Sequence, residues 1–236
     1  MPAYDKEANK KIAEGLAIPR RSEAGSRETF IFLCYIEKAN RQRPIEQNRG
    51  LRRNDRMILE TERLVLRPWE EADAEDLYSY ARHPEVGPIA GWAVHTDVEN
   101  SRETIRGILS APETYAVVLK ETGRPVGSIG LMLGKASNIG IPETEGEIGC
   151  WIGVPYWGRG LIPEAVRELM RHGFEELNLE RIWYGYFDGN IKSKRVQEKC
   201  GFHYHHTAEN VPCAIEGMLR TEHITCISKD EWLSES

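Results

Sequence analysis

This chain of 236 residues has no long hydrophobic run. A helix that crosses a bilayer needs about 18 to 20 apolar residues in succession, and the longest run here, Phe30 to Ile36, has seven. That run lies well inside the chain with no small-residue cleavage site behind it, which argues against a signal peptide and a membrane partner. Paired cysteines are missing too. The five present (Cys34, Cys150, Cys200, Cys213 and Cys226) are odd in number and contain no C-x-x-C. Neither a disulfide framework nor a zinc site is therefore expected, and a reducing cytoplasm fits best. Two nucleotide-binding signatures fail in detail. Pro163 stands where G-x-G-x-x-G would place a third glycine after Gly158 and Gly160, and G-K-[ST] does not occur, so the Rossmann and P-loop readings lack their motifs. Aromatic residues are scarce at 8%, but 40% hydrophobic and 29% charged residues make an ordinary globular protein rather than a disordered or collagenous one.

What is present divides at Met57. Residues 1–56 carry 13 Lys and Arg against 8 Asp and Glu, a net of +5, whereas the 180 residues from Met57 carry 18 against 29, a net of −11. The length exceeds one domain of about 100 to 150 residues and falls short of two. It reads as a single domain over 57–236 behind a basic extension over 1–56. The extension mixes charges with Pro19, Gly25, Pro44 and Gly50 and has no sustained periodicity apart from TFIFLCYI at 29–36. Three readings stay open for it: a flexible arm, an appendage loosely docked on the domain, or upstream sequence with no part in function. Basic groups so interleaved with acidic ones are a weak nucleic-acid footprint.

From Met57 the pattern is regular. ILETERLVLRPW alternates as a first strand up to Pro68. Asp73 offers an N-cap oxygen to a helix that ends before Pro84, and Thr96 with Glu99 forms a T-x-x-E capping box for a second helix. Tyr115–Lys120 and Val126–Leu133 read as an antiparallel hairpin around ETGRP, and Glu147–Gly153 as a fourth strand. Pro163–Leu177 is the strongest helix, with Val166, Leu169, Met170, Gly173 and Leu177 on one face. Arg181–Phe187 is a fifth strand, Asn190–Cys200 a short helix closed by Gly201, and strands near 203–206 and 219–227 finish the order β-α-α-β-β-β-α-β-α-β-β. The glycines at 158 and 160 give a tight turn at a helix start, where free N–H groups and the helix dipole suit an anion.

Five pieces, ETERLVLRPW, VGSIGLM, EIGCWIGVPYWGRGLIPEA, GNIKSKRVQEKCGF and LRTEHITCISKDEW, in this order and spacing, resemble the Gcn5-related N-acetyltransferase (GNAT) superfamily, in particular its branch of ribosomal-protein N-terminal acetyltransferases. The resemblance runs from about Ile58 to Trp232. It implies an α+β fold, a three-layer α/β/α sandwich whose mixed, mostly antiparallel sheet splays between the fourth and fifth strands with helices on both faces. It also implies acetyl-CoA as acyl donor. Aligned on Gly160, the signature [R/Q]-x-x-G-x-[G/A] reads Trp157-Gly158-Arg159-Gly160-Leu161-Ile162 and departs at its first and last positions. Main-chain N–H groups hold the pyrophosphate in this family, so the implied contacts are the amides of Gly158, Arg159, Gly160, Leu161 and Ile162, with a charge-assisted contact from Arg159. The stretch Cys150, Trp151, Ile152, Gly153 and Val154 would pair with the pantetheine arm as an added strand and polarise the thioester carbonyl. Asn190 and Ser193 match positions that touch the cofactor arm, although Asn190 also suits a plain helix cap.

Acetyl transfer to an amine needs a neutral nitrogen, a stabilised oxyanion and a proton for the departing thiolate. Ser193 is the candidate acid, with Tyr184 or Tyr186 as alternates, and Glu147 the candidate base, directly or through water. A solvated strand position is the structural alternative for Glu147. Cys150 as an acyl-carrying nucleophile lacks a matched base in the sequence. His203 and His205 in HYHH share a strand face without a carboxylate or cysteine to complete a metal site. Trp69, Trp92, Trp151 and Trp183 read as core or pocket walls. The expected activity is N-acetyl transfer to a primary amine, a protein N-terminus or a small cationic amine drawn by the acidic domain, by direct attack in a ternary complex and without a metal. A non-catalytic acyl-CoA-binding module is the alternative, and a homodimer is left open.

Overall fold

A computed structural model describes residues 57–235; the basic extension over 1–56, with its TFIFLCYI stretch, lies outside the described residues. The first strand is two. β1 (Leu59–Glu60) and β2 (Leu64–Arg67) pair antiparallel, because the Thr61 hydroxyl accepts the Leu64 N–H at 3.0 Å and turns the chain between them. Leu64 and Leu66 of β2 are fully buried.

Two helices follow, α1 (Ala74–Ala81) and α2 (Val98–Arg106), and both caps differ from expectation. Asp73 makes no cap bond to α1. Its carboxylate instead accepts both outer nitrogens of Arg67, at 2.7 and 2.8 Å, and the Glu70 N–H, since a guanidinium fork outcompetes a single amide. The cap of α2 is Asp97, one residue after Thr96, accepting from Asn100 N–H at 2.8 Å.

β3 (Thr114–Leu119) and β4 (Arg124–Leu133) form the hairpin, β5 (Glu145–Ile152) follows, and α3 (Leu161–Arg171) runs into a π turn at His172–Glu176. β6 (Arg181–Phe187), α4 (Ile191–Lys199), β7 (His203–Pro212) and β8 (Leu219–Ser228) complete the expected elements. A last helix, α5 (Lys229–Glu235), was not read from the sequence. The sheet order is β1-β2-β3-β4-β5-β6-β8-β7, with every neighbour pair antiparallel except β5 and β6. That parallel pair needs a crossover, which α3 supplies.

The sheet carries a core on each face, giving the three layers. Leu161, Val166, Leu169, Met170 and Phe174 of the α3 segment bury against Leu64, Ile129, Ile148 and Ile182. On the other face Leu77 and Ala81 of α1 and Ile105 of α2 pack on Trp69, Ala116 and Val118. Alternation along the strands divides the residues between these faces. The ladder between β5 and β6 holds only from Glu145↔Arg181 to Ile148↔Tyr184, although both strands run on. The sheet therefore splays as expected, between its fifth and sixth strands because the first was split.

Candidate active site

Where β5 and β6 part, a cavity of about 290 Å³ opens, lined by Cys150, Trp151 and Ile152 on one side and Tyr184 on the other. It reaches both faces of the sheet. Ile162, Ser193 and Val196 close it on the face of α3 and α4, while Val86 and Ile89, from the segment between α1 and α2, line it on the opposite face beside Trp151.

The turn before α3 stands at one end of this opening. Gly158 and Gly160 both have φ +74°, a left-handed backbone that glycine adopts freely. Among the described residues no acceptor takes the N–H of Gly158, Arg159, Gly160, Leu161 or Ile162. Glu164 N–H makes the first bond of the helix, to the Gly160 carbonyl at 3.2 Å. A methyl group on Gly158 would meet nothing within 4 Å, so the turn is open to a ligand. Five unpaired amides at a helix start, next to a slot with bare strand edges, fit a pyrophosphate joined to an extended arm. Pro163, also in the wall, has no N–H to add.

Trp157, the first departure from the signature, donates its indole N–H to the Ile152 carbonyl at 2.9 Å. The Lys192 ammonium lies 3.2 Å from the centre of the Trp157 ring, a cation–π contact that links this turn to α4. Lys192, Arg195 and Lys199 recur at helical spacing along the cavity wall and bring positive charge that the sequence reading overlooked. The spacing was visible in KSKRVQEK. Val86 and Ile89 carried no local signal, because only tertiary packing brings them to the slot.

Asn190 caps α4 by accepting the Ser193 N–H at 3.2 Å and lines the cavity as well, so its two readings coexist. Ser193 Oγ accepts from the Gln197 side chain at 3.2 Å and neighbours Tyr184 in the cavity wall. The Tyr184 hydroxyl also lies 2.6 Å from Cys150 Sγ. Burial, then the neighbouring Cys150, pushes Tyr184 well above its ordinary value, and burial pushes the Cys150 thiol up to about 11. Both groups are held neutral.

Glu147 is 4% exposed, on the α1/α2 face one residue pair into the ladder. Its Oε2 accepts Ser137 Oγ at 2.8 Å and Asn138 N–H at 2.7 Å. Burial raises its carboxyl above the usual range against the pull of these bonds. Glu147, Val154, Arg159 and Tyr186 lie outside the cavity wall. The Arg159 guanidinium rests over the Tyr156 ring and its carbonyl accepts from Arg63, while Tyr186 packs on His223. Trp151 lines the cavity, Trp92 packs edge-on against it, and Trp69 and Trp183 are buried.

In the HYHH segment a bulge after Tyr204 interrupts the alternation of β7, and His205 packs edge-on against Trp183. Among the described residues no group of three or more His, Cys, Asp or Glu is arranged to hold a metal, and no helix is long and apolar enough to cross a membrane.

Residues 63–203, more than half of the chain, match the family model described as acetyltransferase (GNAT) domain. The protein named uncharacterized N-acetyltransferase p20 of Bacillus licheniformis is 34% identical over 129 residues, covering 52% of this chain and 70% of that protein. Among solved structures, a GNAT-family acetyltransferase from Bacillus anthracis superposes with a TM-score of 0.65 at 24% identity, over 74% of this chain and 100% of that one. Ribosomal-protein-S5-alanine acetyltransferase from Vibrio fischeri superposes with a TM-score of 0.59 at 21% identity, over 75% and 98%. Splayed sheet, glycine turn and family match thus agree, and the chain belongs to the GNAT family of acetyltransferases.

Proposed function

We propose that this acetyltransferase moves the acetyl group of acetyl-CoA to a primary amine by direct attack in a ternary complex, and that the amine is the N-terminus of a basic protein. The observation that carries this reading is the row of five unpaired amides, from Gly158 to Ile162, at the end of a cavity that passes through the sheet. Those amides hold the pyrophosphate, and the bare edge of β5 from Cys150 to Ile152 takes the pantetheine arm. Bound acetyl-CoA supplies the thioester carbonyl that the amine attacks.

The residues around the slot then divide the work by face. Ser193, with Tyr184 behind it, donates the proton that the leaving sulfur needs, and Tyr184 suits a donor because it stays protonated throughout the working pH range. Cys150 stays a thiol for the same reason, which disfavours a covalent acyl-enzyme. The amine enters from the α1/α2 face, where Glu147 lies and Glu85 lines the opening. A net charge of −11 over residues 57–236 favours a cationic acceptor. The structural neighbour from Vibrio fischeri, named as acting on an alanine of a ribosomal protein, supports a protein acceptor over a small metabolite.

Titration calorimetry with acetyl-CoA, followed by thiol release with a panel of alanine-tipped basic peptides and polyamines, tests the proposal. Saturable binding with turnover of the peptides is the expected result. Absence of binding would falsify the assignment, turnover of polyamines alone would replace the acceptor, and binding without any turnover would leave an acyl-CoA-binding module.

A further inference from the structure

Glu222 of β8 has no assigned part, yet it occupies the point where the sheet opens. It pairs across β8 with Phe187 of β6, whose neighbour on the same face is Gly185. Gly185 is the first residue of β6 beyond the ladder with β5. A methyl group on Gly185 would fall on Glu222 Oε1, 3.0 Å from the carboxyl carbon, so the carboxylate lies directly over the backbone at the splay and a glycine there makes its room. The face is that of Glu147 and Trp151, the side opposite α3 and α4.

The surroundings separate Glu222 from Glu147. Both hydrogen bonds to Glu147 come from the 137–138 turn, whereas among the described residues no donor bonds to the Glu222 side chain. Phe187 and Gly185 of β6 and Ala208 of β7, which lie against Glu222, carry no charge. Arg220, two residues earlier on β8, directs its guanidinium at the carbonyls of Pro88, Ile89 and Asp188. The remaining charge facing Glu222 is that of Glu147. The Arg220 bonds also bring the 88–89 backbone, which continues the far wall of the cavity, over the same end of β8. Glu85 is the carboxylate in the cavity wall itself; Glu222 stands just outside that wall, over Gly185 and next to Tyr184 of the wall, with no donor among the described residues engaging its lone pairs.

On the acetyltransferase reading above, we propose that Glu222 is the proton acceptor for the incoming amine and that Glu147 acts as a positioning residue that tunes it. Glu222 takes one proton from the substrate ammonium. The nitrogen lone pair then forms the C–N bond, the C–S bond breaks with its electron pair going to sulfur, and the second nitrogen proton passes through Ser193 to that sulfur. Glu222 returns its proton to water, so the sum is ammonium and thioester giving amide, thiol and one released proton. Burial, with the Glu147 charge beside it, pushes the Glu222 carboxyl up to about 7, close to the pH at which a general base is most effective.

The test uses the full chain, acetyl-CoA, and two acceptors, an alanine-tipped basic peptide and spermidine. Glu222→Gln should lower kcat about 100-fold while the acetyl-CoA Kd measured by calorimetry stays within about 2-fold. Gly185→Ala, which displaces the carboxylate and keeps it, should lower kcat about 10-fold with the same unchanged Kd. Carboxyl-carbon NMR of glutamate-labelled protein should show one titration near pH 7 that vanishes in Glu222→Gln and moves to lower pH in Glu147→Gln. A kcat within about 3-fold of wild type in Glu222→Gln overturns the role, as does a raised titration that belongs to another glutamate. Should Glu222→Gln not fold, an unchanged kcat in Gly185→Ala or an unmoved titration in Glu147→Gln overturns it equally. Wild-type protein that binds no acetyl-CoA or acetylates neither amine fails the acetyltransferase reading itself, visible before any variant is made, and removes the role of Glu222 with it.

Discussion

Ser193 shows how far a single side chain can be followed. Its place in N-x-x-S suggested both a cap environment and a reaction role, and the structure brings its hydroxyl to Tyr184 and Gln197 at the cavity wall. Thr225 Oγ1 continues the chain, donating to Gln197 Oε1 at 2.8 Å and close to the Tyr184 carbonyl at 2.9 Å. Ser193→Ala is therefore expected to lower kcat about 10-fold, the lower part of the general-acid range being apt because a thiol of ordinary pKa leaves readily. Acetyl-CoA affinity should change less than about 3-fold, because the amides of 158–162 supply most of the binding. Stopped-flow thiol release and calorimetry measure the two. Tyr184 should then be the next donor, so Ser193→Ala combined with Tyr184→Phe should lose more than either alone. Glu222 is the converse case at this scale. LRTEHITCIS displays a glutamate on a strand, but nothing in the sequence says which strand β8 joins or that Gly185 leaves a gap beneath it.

At the level of elements, the short hairpin of β1 and β2 reaches the site through Arg63. Its Nε and backbone N–H donate to Glu164 at 2.7 and 2.9 Å, its Nη1 donates to the Arg159 carbonyl at 3.0 Å, and Thr61 bonds to the same Glu164 carboxylate. A remote hairpin thus ties together the glycine turn and the first turn of α3. Arg63→Ala should weaken acetyl-CoA binding about 3- to 10-fold by calorimetry. Its stability cost should stay below about 1 kcal/mol, since the guanidinium is half exposed; an unchanged Kd would show that the turn holds its shape unaided. The break between β1 and β2 is partly legible in the sequence: Glu60 to Arg63 are four polar residues in a row, and the apolar positions change phase from Leu59 to Leu64 and Leu66. What ILETERLVLRPW does not display is the partner that fixes the turn, Glu164 far along the chain. The displaced cap of α2 has a simpler cause, because Thr96 and Asp97 are both good caps and the carboxylate is the stronger acceptor. α5 was legible after all. Ser228 and Glu231 form an S-x-x-E box, with Ser228 N–H and Oγ both bonding to the Glu231 carboxylate.

For the molecule as a whole, residues 57–235 make both cores and all eight strands. A chain that begins at Met57 should consequently fold alone, with a thermal midpoint within about 3 °C of the full chain, a window of about 1 kcal/mol for a domain of this size. It should also bind acetyl-CoA equally well. Scanning calorimetry and titration of the two chains decide this, and a large loss in the shorter one would show that the extension carries part of the domain. At this scale the sequence was informative about layers and order, because strand and helix periods differ and the glycine turn sits between a strand and a strong helix. The cavity was legible only by its resemblance. Its far wall, its depth and its second opening depend on residues from β5, β6, α4 and the 85–90 segment meeting in space, which no periodicity encodes.

The ladder between β5 and β6 stops after four residue pairs, Glu145↔Arg181 to Ile148↔Tyr184, while flanking ladders hold both strands in place. A groove made in this way needs no hinge and no lid. The edges of β5 and β6 beyond Ile148 and Tyr184 wait at a fixed separation, so the protein loses little conformational freedom when an extended arm fills the gap, and the entropic cost of binding falls on the ligand.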